Sequence, residues 1–147
     1  MFVTVKSHAR RKFRNSIRQF VEIAAFIEQF CKAESVAGED VSRILVSVEE
    51  VFTNTVSYGF KDDSEHWVAI DLKKDGDDLE VEIVDDGIPY DPLTEAPEPD
   101  LSASMEDRQI GGLGVHMVKY YMDDLSYSHD GIHNRLKMTL KLEPKDC

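Results

Sequence analysis

Apolar residues recur every three or four positions in two stretches of the N-terminal half of the chain. This period predicts two amphipathic helices, because residues at that spacing share one helical face. The first helix opens at Ser16, where Ser16-Ile-Arg-Gln19 has the form of a capping box. The second opens at Asp40, a suitable N-cap, and runs to Tyr58, where Gly59 is a typical stop signal. The predicted apolar faces comprise Ile17, Phe20, Val21, Ala24, Ile27 and Phe30 in the first helix and Val41, Leu45, Val48, Phe52 and Val56 in the second.

An alternating pattern replaces the helical period in the middle of the chain and predicts strands. Residues 66–72 and 79–83 alternate on either side of Asp75-Gly76, a turn dipeptide that favours a β-hairpin. Residues 2–5 are predicted to form a short edge strand, and the basic run 10–14 is interpreted as a solvated connector.

The C-terminal half begins with a long segment of different composition. Residues 89–110 carry four prolines and many acidic residues with little apolar content, which is typical of a lid or a disordered loop. A helix over 113–122 and two strands near 125–129 and 134–142 are predicted after it. The order β-α-α-β-β-loop-α-β-β predicts an α+β fold: a two-layer α/β sandwich with a mixed, mainly antiparallel sheet covered on one face by helices.

Composition and charge narrow the classes of function. The chain has 147 residues, enough for a single domain over 1–147, and a formal net charge of −12. An acidic protein is poorly suited to nucleic acid or to an anionic membrane, whereas a protein partner or a nucleotide held by Mg²⁺ and backbone amides fits. Cys31 and Cys147 lack metal-ligand spacing, and no stretch resembles a signal peptide or a membrane span. We expect a cytoplasmic protein.

The second helix carries the first candidate for chemistry. Glu50 and Asn54 are separated by four residues, so a carboxylate and a carboxamide lie one turn apart on the same face. A carboxylate can accept a proton, and an amide oxygen can ligate Mg²⁺. Glu49 offers the same chemistry as Glu50, but Glu50 has the matching spacing to Asn54. The alternative interpretation is a solvated polar face on a surface helix.

Two glycine-containing stretches supply further candidates. Asp85 and Gly87 follow a predicted strand, where a carboxylate can face a pocket while the backbone turns close to a ligand. An ordinary turn explains the same residues. Gly111-Gly-Leu-Gly114 opens a helix, and its exposed amides together with the helix N-terminus suit a phosphate group. A flexible hinge is the alternative there.

Taken together and in this order, the three stretches resemble the N, G1 and G2 boxes of the GHKL ATPase/kinase superfamily. The matching segments are Glu50-Val-Phe-Thr-Asn54, Asp85-Asp-Gly-Ile-Pro-Tyr-Asp-Pro92 and Gly111-Gly-Leu-Gly-Val-His-Met-Val-Lys-Tyr-Tyr-Met-Asp123. Within the superfamily the chain is most similar to the stand-alone anti-sigma regulatory serine/threonine kinases of bacteria. The resemblance covers nearly the whole chain and implies the Bergerat, or histidine-kinase-like ATPase, fold.

The resemblance also implies roles for individual residues, with ATP and Mg²⁺ as the ligands. Glu50 matches the general base, and Asn54 matches the asparagine that ligates Mg²⁺. Asp85 matches the carboxylate that accepts a hydrogen bond from the adenine amino group, which favours ATP over GTP. Gly87 lets the backbone pass close to the base, and Asn134 takes the place of a threonine that supports the adenine site in relatives.

A lid over about 89–112 is implied as well, and its end would wrap the phosphates. Gly111, Gly112, Leu113 and Gly114 match that end. Some relatives carry an arginine directly before these glycines, suited to the γ-phosphate. Here the nearest is Arg108, three residues before Gly111, and it is the candidate for a cation at the nucleotide. Tyr58, farther upstream, stands where many relatives have histidine.

The implied function is that of an ATP-dependent protein serine/threonine kinase and anti-sigma regulatory factor. Its substrate would be a small STAS-type anti-sigma factor antagonist, and the same domain would sequester a sigma factor. Relatives are commonly homodimers, which an exposed sheet face or the first helix could form here. One alternative is a non-catalytic ATP-binding module that regulates a partner by binding alone; another is a simple ATPase.

Overall fold

Five strands and three α-helices make up the part of the chain described by the computed structural model, residues 6–95 and 114–142. The strands are β1 (Lys6–Arg14), β2 (Trp67–Asp75), β3 (Asp78–Asp85), β4 (Asp124–His129) and β5 (Asn134–Lys141). The helices are α1 (Phe20–Ala33), α2 (Gly38–Tyr58) and α3 (Gly114–Tyr121), and a 3-10 turn, Ile17–Gln19, precedes α1. From α1 to β5 the order of helices and strands agrees with the predicted succession, whereas β1 occupies residues that include the predicted connector.

The five strands form one antiparallel sheet in the order β1-β2-β3-β5-β4. Consecutive strands β2 and β3 are joined by the predicted hairpin, in which Asp75 pairs with Asp78 and Gly76 has φ 61°. Glycine is favoured there because side chains with a Cβ rarely adopt positive φ. Strand β5 lies between β3 and β4, so the ends of β3 and β5 are neighbours: Asp85 pairs with Asn134.

Helices pack on one face of this sheet and bury a single apolar core, which confirms the predicted α+β sandwich. Alternate residues of each central strand face the helices, as the period of two requires. The core contains Phe13, Ile23, Ile27, Cys31, Ile44, Val48, Val51, Phe52, Val68, Ile70, Leu72, Leu79, Val81, Ile83, Val118, Met122, Leu136, Met138, Leu140 and Leu142.

The buried face of α2 is rotated from the predicted stripe. Ile44 and Val51 are fully buried, whereas Val41, Leu45 and Val56 are only partly buried. Asn54, assigned to the opposite and polar face, is 1% exposed. Val48 and Phe52 of the predicted stripe are fully buried, as expected. The assignment of Asn54 to a solvated face was wrong, because a helix packed against both a sheet and other helices buries a wider arc than one stripe. The alternative of a solvated polar face is therefore excluded at Asn54.

Two predicted helix starts and one predicted connector were also wrong. Ser16 makes no side-chain cap hydrogen bond, and the 3-10 turn after it replaces the first turn of helix. The second helix begins at Gly38, so Asp40 lies inside its first turn, where it is buried and paired with Arg43 at 3.2 Å. The basic run 10–14, interpreted as a connector, belongs to β1 and pairs with β2. This pairing satisfies its backbone hydrogen bonds and could not be inferred from the local charge.

The first helix buries only part of its predicted face: Ile27 is buried, and Phe20 and Phe30 are partly buried against the core. Ile23, Ile27 and Cys31 are its buried residues, whereas Val21 is 74% exposed and Ile17, in the preceding turn, is 53% exposed. The 3-10 turn changes the angular phase between residues before and after it, so a single helical period does not fit both. The predicted strand over 2–5 lies outside the described residues.

Within the described ranges, no helix has the length and apolarity needed to cross a membrane.

Candidate functional site

Glu50 and Asn54 form a hydrogen-bonded pair on α2. The Asn54 amide nitrogen donates to Glu50 Oε1 at 2.9 Å, as the i, i+4 spacing allows. With its nitrogen so engaged, the amide directs Oδ1 elsewhere, and this buried oxygen has no hydrogen-bond partner in the described part of the chain. A buried carbonyl oxygen without a donor is costly, so its presence points to a ligand that satisfies it.

The Glu50 carboxylate has the environment of a proton acceptor. Partial burial raises its pKa, the hydrogen bond from Asn54 opposes that shift, and the neighbouring Glu49 charge adds to it. A carboxylate with a raised pKa is a stronger base, which suits proton abstraction. Glu49 is exposed on the same helix. The structure therefore pairs Asn54 with Glu50 and leaves Glu49 in solvent.

Asp85 lies at the end of β3, 5% exposed, on the helix-covered face of the sheet. Its Oδ1 accepts hydrogen bonds from the backbone N–H of Gly87 at 2.8 Å and from the Asn134 amide at 3.0 Å. Burial raises its pKa, and these two hydrogen bonds partly offset the shift. Because both bonds use Oδ1, Oδ2 is the oxygen that can receive a donor from a ligand.

Asn134, the first residue of β5, organises the loop that follows Asp85. Besides donating to Asp85, its amide donates to the backbone carbonyl of Ile88 at 2.7 Å. Its Oδ1 accepts from the backbone N–H of Tyr90 at 3.0 Å and from the hydroxyl of Tyr127. The side chain is 4% exposed, so these bonds form away from water. Asn134 thus holds the Asp85 carboxylate and the Ile88–Tyr90 backbone in one arrangement.

Gly87 is a point of close backbone approach between that loop and the end of α2. A Cβ at Gly87 would lie 2.3 Å from the carbonyl oxygen of Gly59 and 2.9 Å from Asp85 Oδ1. The same Gly59 carbonyl accepts a hydrogen bond from the backbone N–H of Ile88 at 3.0 Å. The loop carrying Asp85 is therefore clamped to the C-terminal cap of the helix that carries Glu50 and Asn54.

Sequence reasoning missed Tyr90 and Tyr127. Tyr90 is 9% exposed, its ring lies 6.1 Å from that of Tyr58, and its buried hydroxyl lacks a partner among the described residues. Tyr127 donates to Asn134 across the β4–β5 pair. Tyr90 could have been noticed as an aromatic residue in a segment whose other residues are typical of a turn. For Tyr127 the sequence shows only its place in an alternating strand.

The glycine-rich candidates are only partly visible. Gly114 is the first residue of α3, which packs against α2. Arg108, Gly111, Gly112 and Leu113 lie outside the described residues. Among the residues that are described, no group of three or more His, Cys, Asp or Glu side chains could hold a metal ion. Mg²⁺ is usually bound by one or two protein oxygens, with water and phosphate oxygens as its other ligands. An ion at Asn54 would be bound in this way.

The structure combines an α+β sandwich, a hydrogen-bonded carboxylate and carboxamide on α2, and a buried Asp at the end of β3. The histidine kinase-like ATPase domain model matches residues 13–140, and the chain belongs to that family. Family membership confirms the resemblance recognised in the motifs.

Curated relatives are named as protein kinases and anti-sigma factors. The chain is 29% identical over 102 residues to the serine/threonine-protein kinase BtrW of Bordetella bronchiseptica, covering 69% of this chain and 71% of that protein. It is 30% identical over 95 residues to the serine-protein kinase RsbW of Listeria monocytogenes, covering 63% and 60%. It is 27% identical over 114 residues to an anti-sigma F factor of Clostridium beijerinckii, covering 78% and 76%.

A solved structure shows the same fold. The crystal structure of the RsbU and RsbW domains of Rv1364c from Mycobacterium tuberculosis superposes with a TM-score of 0.67 over 94% of this chain and 33% of that chain. At 14% identity the likeness concerns the fold alone. It confirms the histidine-kinase-like arrangement of sheet and helices.

Proposed function

We propose that this chain is an ATP-dependent protein serine/threonine kinase that also acts as an anti-sigma regulatory factor. The observation that carries the proposal is the buried Asn54 Oδ1, left without a donor within the described residues while the same amide binds Glu50. An oxygen so placed fits Mg²⁺, a cation that prefers oxygen ligands. The curated relatives named as kinases and anti-sigma factors support the choice of activity.

Adenine recognition is assigned to Asp85. Its Oδ2 can accept a hydrogen bond from the exocyclic amino group of adenine, whereas the carbonyl oxygen at that position of guanine would face a carboxylate. Gly87 and Asn134 keep the carboxylate in place through the hydrogen bonds to Oδ1. Calorimetric titration with ATP and with GTP, each with and without Mg²⁺, tests the assignment: Mg²⁺-dependent binding of ATP alone is expected.

Phosphate binding is assigned to the start of α3 and the residues before it. The N-terminus of a helix presents free N–H groups and a partial positive charge, both favourable to phosphate. Gly111, Gly112 and Leu113 together with Gly114 are proposed to supply these amides, and Arg108 is proposed as the nearest cation. Mg²⁺ held by Asn54 would offset the charge of the phosphate chain.

Glu50 is assigned as the general base. In the transfer it takes the proton of a serine or threonine hydroxyl on the substrate protein while that oxygen attacks the γ-phosphorus. The new O–P bond forms as the bond from phosphorus to the β-phosphate oxygen breaks, and ADP leaves with the electron pair. The hydrogen bond from Asn54 orients the carboxylate, and partial burial keeps its pKa raised and its basicity high.

The proposed partners are proteins. The substrate is a small STAS-type anti-sigma factor antagonist, and the second partner is a sigma factor held by the same domain. Self-association as a homodimer is part of the proposal, with the exposed Ile17 and Val21 at the first helix as one apolar surface for it.

A phosphate-transfer assay tests the activity. The protein is incubated with ATP labelled at the γ-phosphate and a purified STAS-type antagonist from the same genome, and label on the antagonist is measured. Transfer is expected for the parent and for Glu49→Gln, because Glu49 is exposed and unpaired with Asn54. Transfer should fall at least a hundredfold in Glu50→Gln, since general-base catalysis is worth roughly 10²–10⁴ in rate.

Two outcomes would replace the proposal. ATP binding without transfer to any antagonist would support a regulatory module that acts by partner binding alone. Release of free phosphate at the same rate with and without antagonist would support a simple ATPase.

A further inference from the structure

Tyr90 carries a buried polar atom that the site as described does not use. The residue is 9% exposed, and its hydroxyl has no hydrogen-bond partner within residues 6–95 and 114–142. A buried tyrosine hydroxyl normally has a hydrogen-bond partner, because a buried donor without one loses its hydrogen bonds to water and gains none in exchange. A phenylalanine would fill the same place without that cost. The hydroxyl therefore calls for a partner other than the residues that the structure describes.

The position of Tyr90 is well defined at both ends. Its backbone N–H donates to Asn134 Oδ1 at 3.0 Å, which ties the residue to the network around Asp85. Its ring packs beside Tyr58, which stands one turn after Asn54 on α2, with the ring centroids 6.1 Å apart. The side chain thus extends from the assigned adenine end of the site toward the helix face that carries Glu50 and Asn54.

Electrostatics keep the hydroxyl protonated. Burial raises the pKa of Tyr90 to about 12, and the negative groups around it, Glu95, Asp91 and Glu50, add to the shift. A hydroxyl that remains neutral near carboxylates is a hydrogen-bond donor throughout the physiological range. The Tyr90 hydroxyl can donate a hydrogen bond to an oxygen of a negatively charged ligand, provided that the ligand brings a cation to offset the acidic surroundings.

Asn54 Oδ1 and the Tyr90 hydroxyl are both buried polar atoms without a partner among the described residues. Asn54 Oδ1 requires a cation or a donor, and Tyr90 requires an acceptor. A nucleotide chelated to Mg²⁺ brings both at once, since the metal meets the amide oxygen and the sugar–phosphate oxygens offer acceptors. We propose that the Tyr90 hydroxyl donates a hydrogen bond to a sugar–phosphate oxygen of the bound nucleotide and contributes to its affinity. This inference rests on the proposed function.

The test is Tyr90→Phe, which removes the hydroxyl and keeps the ring. The matched control is Tyr120→Phe, whose hydroxyl belongs to a side chain that is 84% exposed. Binding of MgATP is measured by calorimetry for the parent and both variants. Tyr90→Phe is expected to weaken binding roughly threefold to tenfold, the effect of one lost hydrogen bond, and Tyr120→Phe to leave it unchanged.

Thermal unfolding separates a ligand contact from a packing role. Without nucleotide, Tyr90→Phe should melt at the same temperature as the parent or higher, because an unpaired buried hydroxyl is removed. With saturating MgATP, the rise in melting temperature should be smaller than for the parent. A purely structural tyrosine would instead lower the melting temperature of the free protein and leave the nucleotide-dependent rise intact.

The outcomes distinguish this inference from the proposed function. If the parent binds MgATP and Tyr90→Phe binds it within twofold, the inference is overturned while the nucleotide site stands. It is equally overturned if Tyr120→Phe loses as much affinity as Tyr90→Phe. If the parent itself binds no nucleotide, the proposed function has failed and the inference with it.

Discussion

The amide nitrogen of Asn54 lies 2.9 Å from Oε1 of Glu50, one helical turn away, and that single hydrogen bond sets both residues for different tasks. It orients the Glu50 carboxylate, and it turns Oδ1 of the amide toward a buried place where no described residue donates to it. A serine or leucine at either position would break the arrangement.

Asn54→Ala should abolish Mg²⁺-dependent ATP binding and leave the fold intact. The variant loses one hydrogen bond but also a buried unpaired oxygen, so its free energy of unfolding should change by less than about 1 kcal/mol. Calorimetry with and without Mg²⁺ gives the first quantity, and urea denaturation gives the second. Ser57→Ala, an exposed position on the same helix, is the control. Unchanged MgATP affinity in Asn54→Ala would remove Asn54 from the site.

Gly87→Ala should destabilise the protein by about 1–3 kcal/mol, because the new Cβ would lie 2.3 Å from the Gly59 carbonyl and the clamp between loop and helix must open. Nucleotide binding should weaken as well, since Asp85 Oδ1 lies 2.9 Å from the same Cβ. Urea denaturation and calorimetry measure the two effects. Gly38→Ala is the control, because nothing lies within 4 Å of a Cβ there. Equal stability of the two variants would show that the close approach is unimportant.

Asn134→Ala should cost about 2–4 kcal/mol of stability and most of the ATP affinity. The substitution removes one of the two side-chain acceptors of the Tyr90 N–H, leaves the Ile88 carbonyl without its side-chain donor and frees the Asp85 carboxylate. Asn134→Thr should recover part of the affinity, since its hydroxyl can still donate to Asp85. Full ATP affinity in Asn134→Ala would mean that Asp85 is positioned by the backbone alone.

His66 predicts a pH dependence of stability. Its imidazole bonds Asp62 at 2.7 Å and Asp86 at 3.1 Å and stacks on Phe60. The hydrogen bond to Asp62 is the main cause that raises the pKa of His66 above 6.5. A raised pKa means that the folded state binds the proton more tightly, so this stabilisation is complete below pH 6.5 and is lost as pH rises through the folded pKa.

His66→Gln should therefore flatten the fall in melting temperature between about pH 6 and about pH 8.5. The effect should not exceed roughly 2 °C, because the group is near the surface and its interactions with the carboxylates are screened. Differential scanning calorimetry at the two pH values measures it. His116→Gln, at an exposed position of α3, should keep the parental profile. A parental profile in His66→Gln would contradict the assignment.

Much of the fold and the choice of candidates followed from local pattern. The alternation around Asp75-Gly76 predicted the hairpin that the structure contains, and Gly59 predicted the end of α2, because turns and caps depend on the conformational needs of a few neighbouring residues. Glu50 and Asn54 could be paired from the sequence alone, since four residues of helix bring side chains together whatever surrounds them.

Other features depended on the tertiary structure. Local charge suggested a solvated connector where β1 pairs with β2, because strand pairing is a contact between distant segments. The burial of Asn54, the hydrogen-bond network of Asn134 and the unpaired hydroxyl of Tyr90 arise only when β3, β5 and α2 meet. Residue type and spacing were enough to identify the side chains that are candidates for the chemistry. The packing of sheet against helix decided which of their polar atoms are left for a ligand, because removal from water makes an unpaired atom costly.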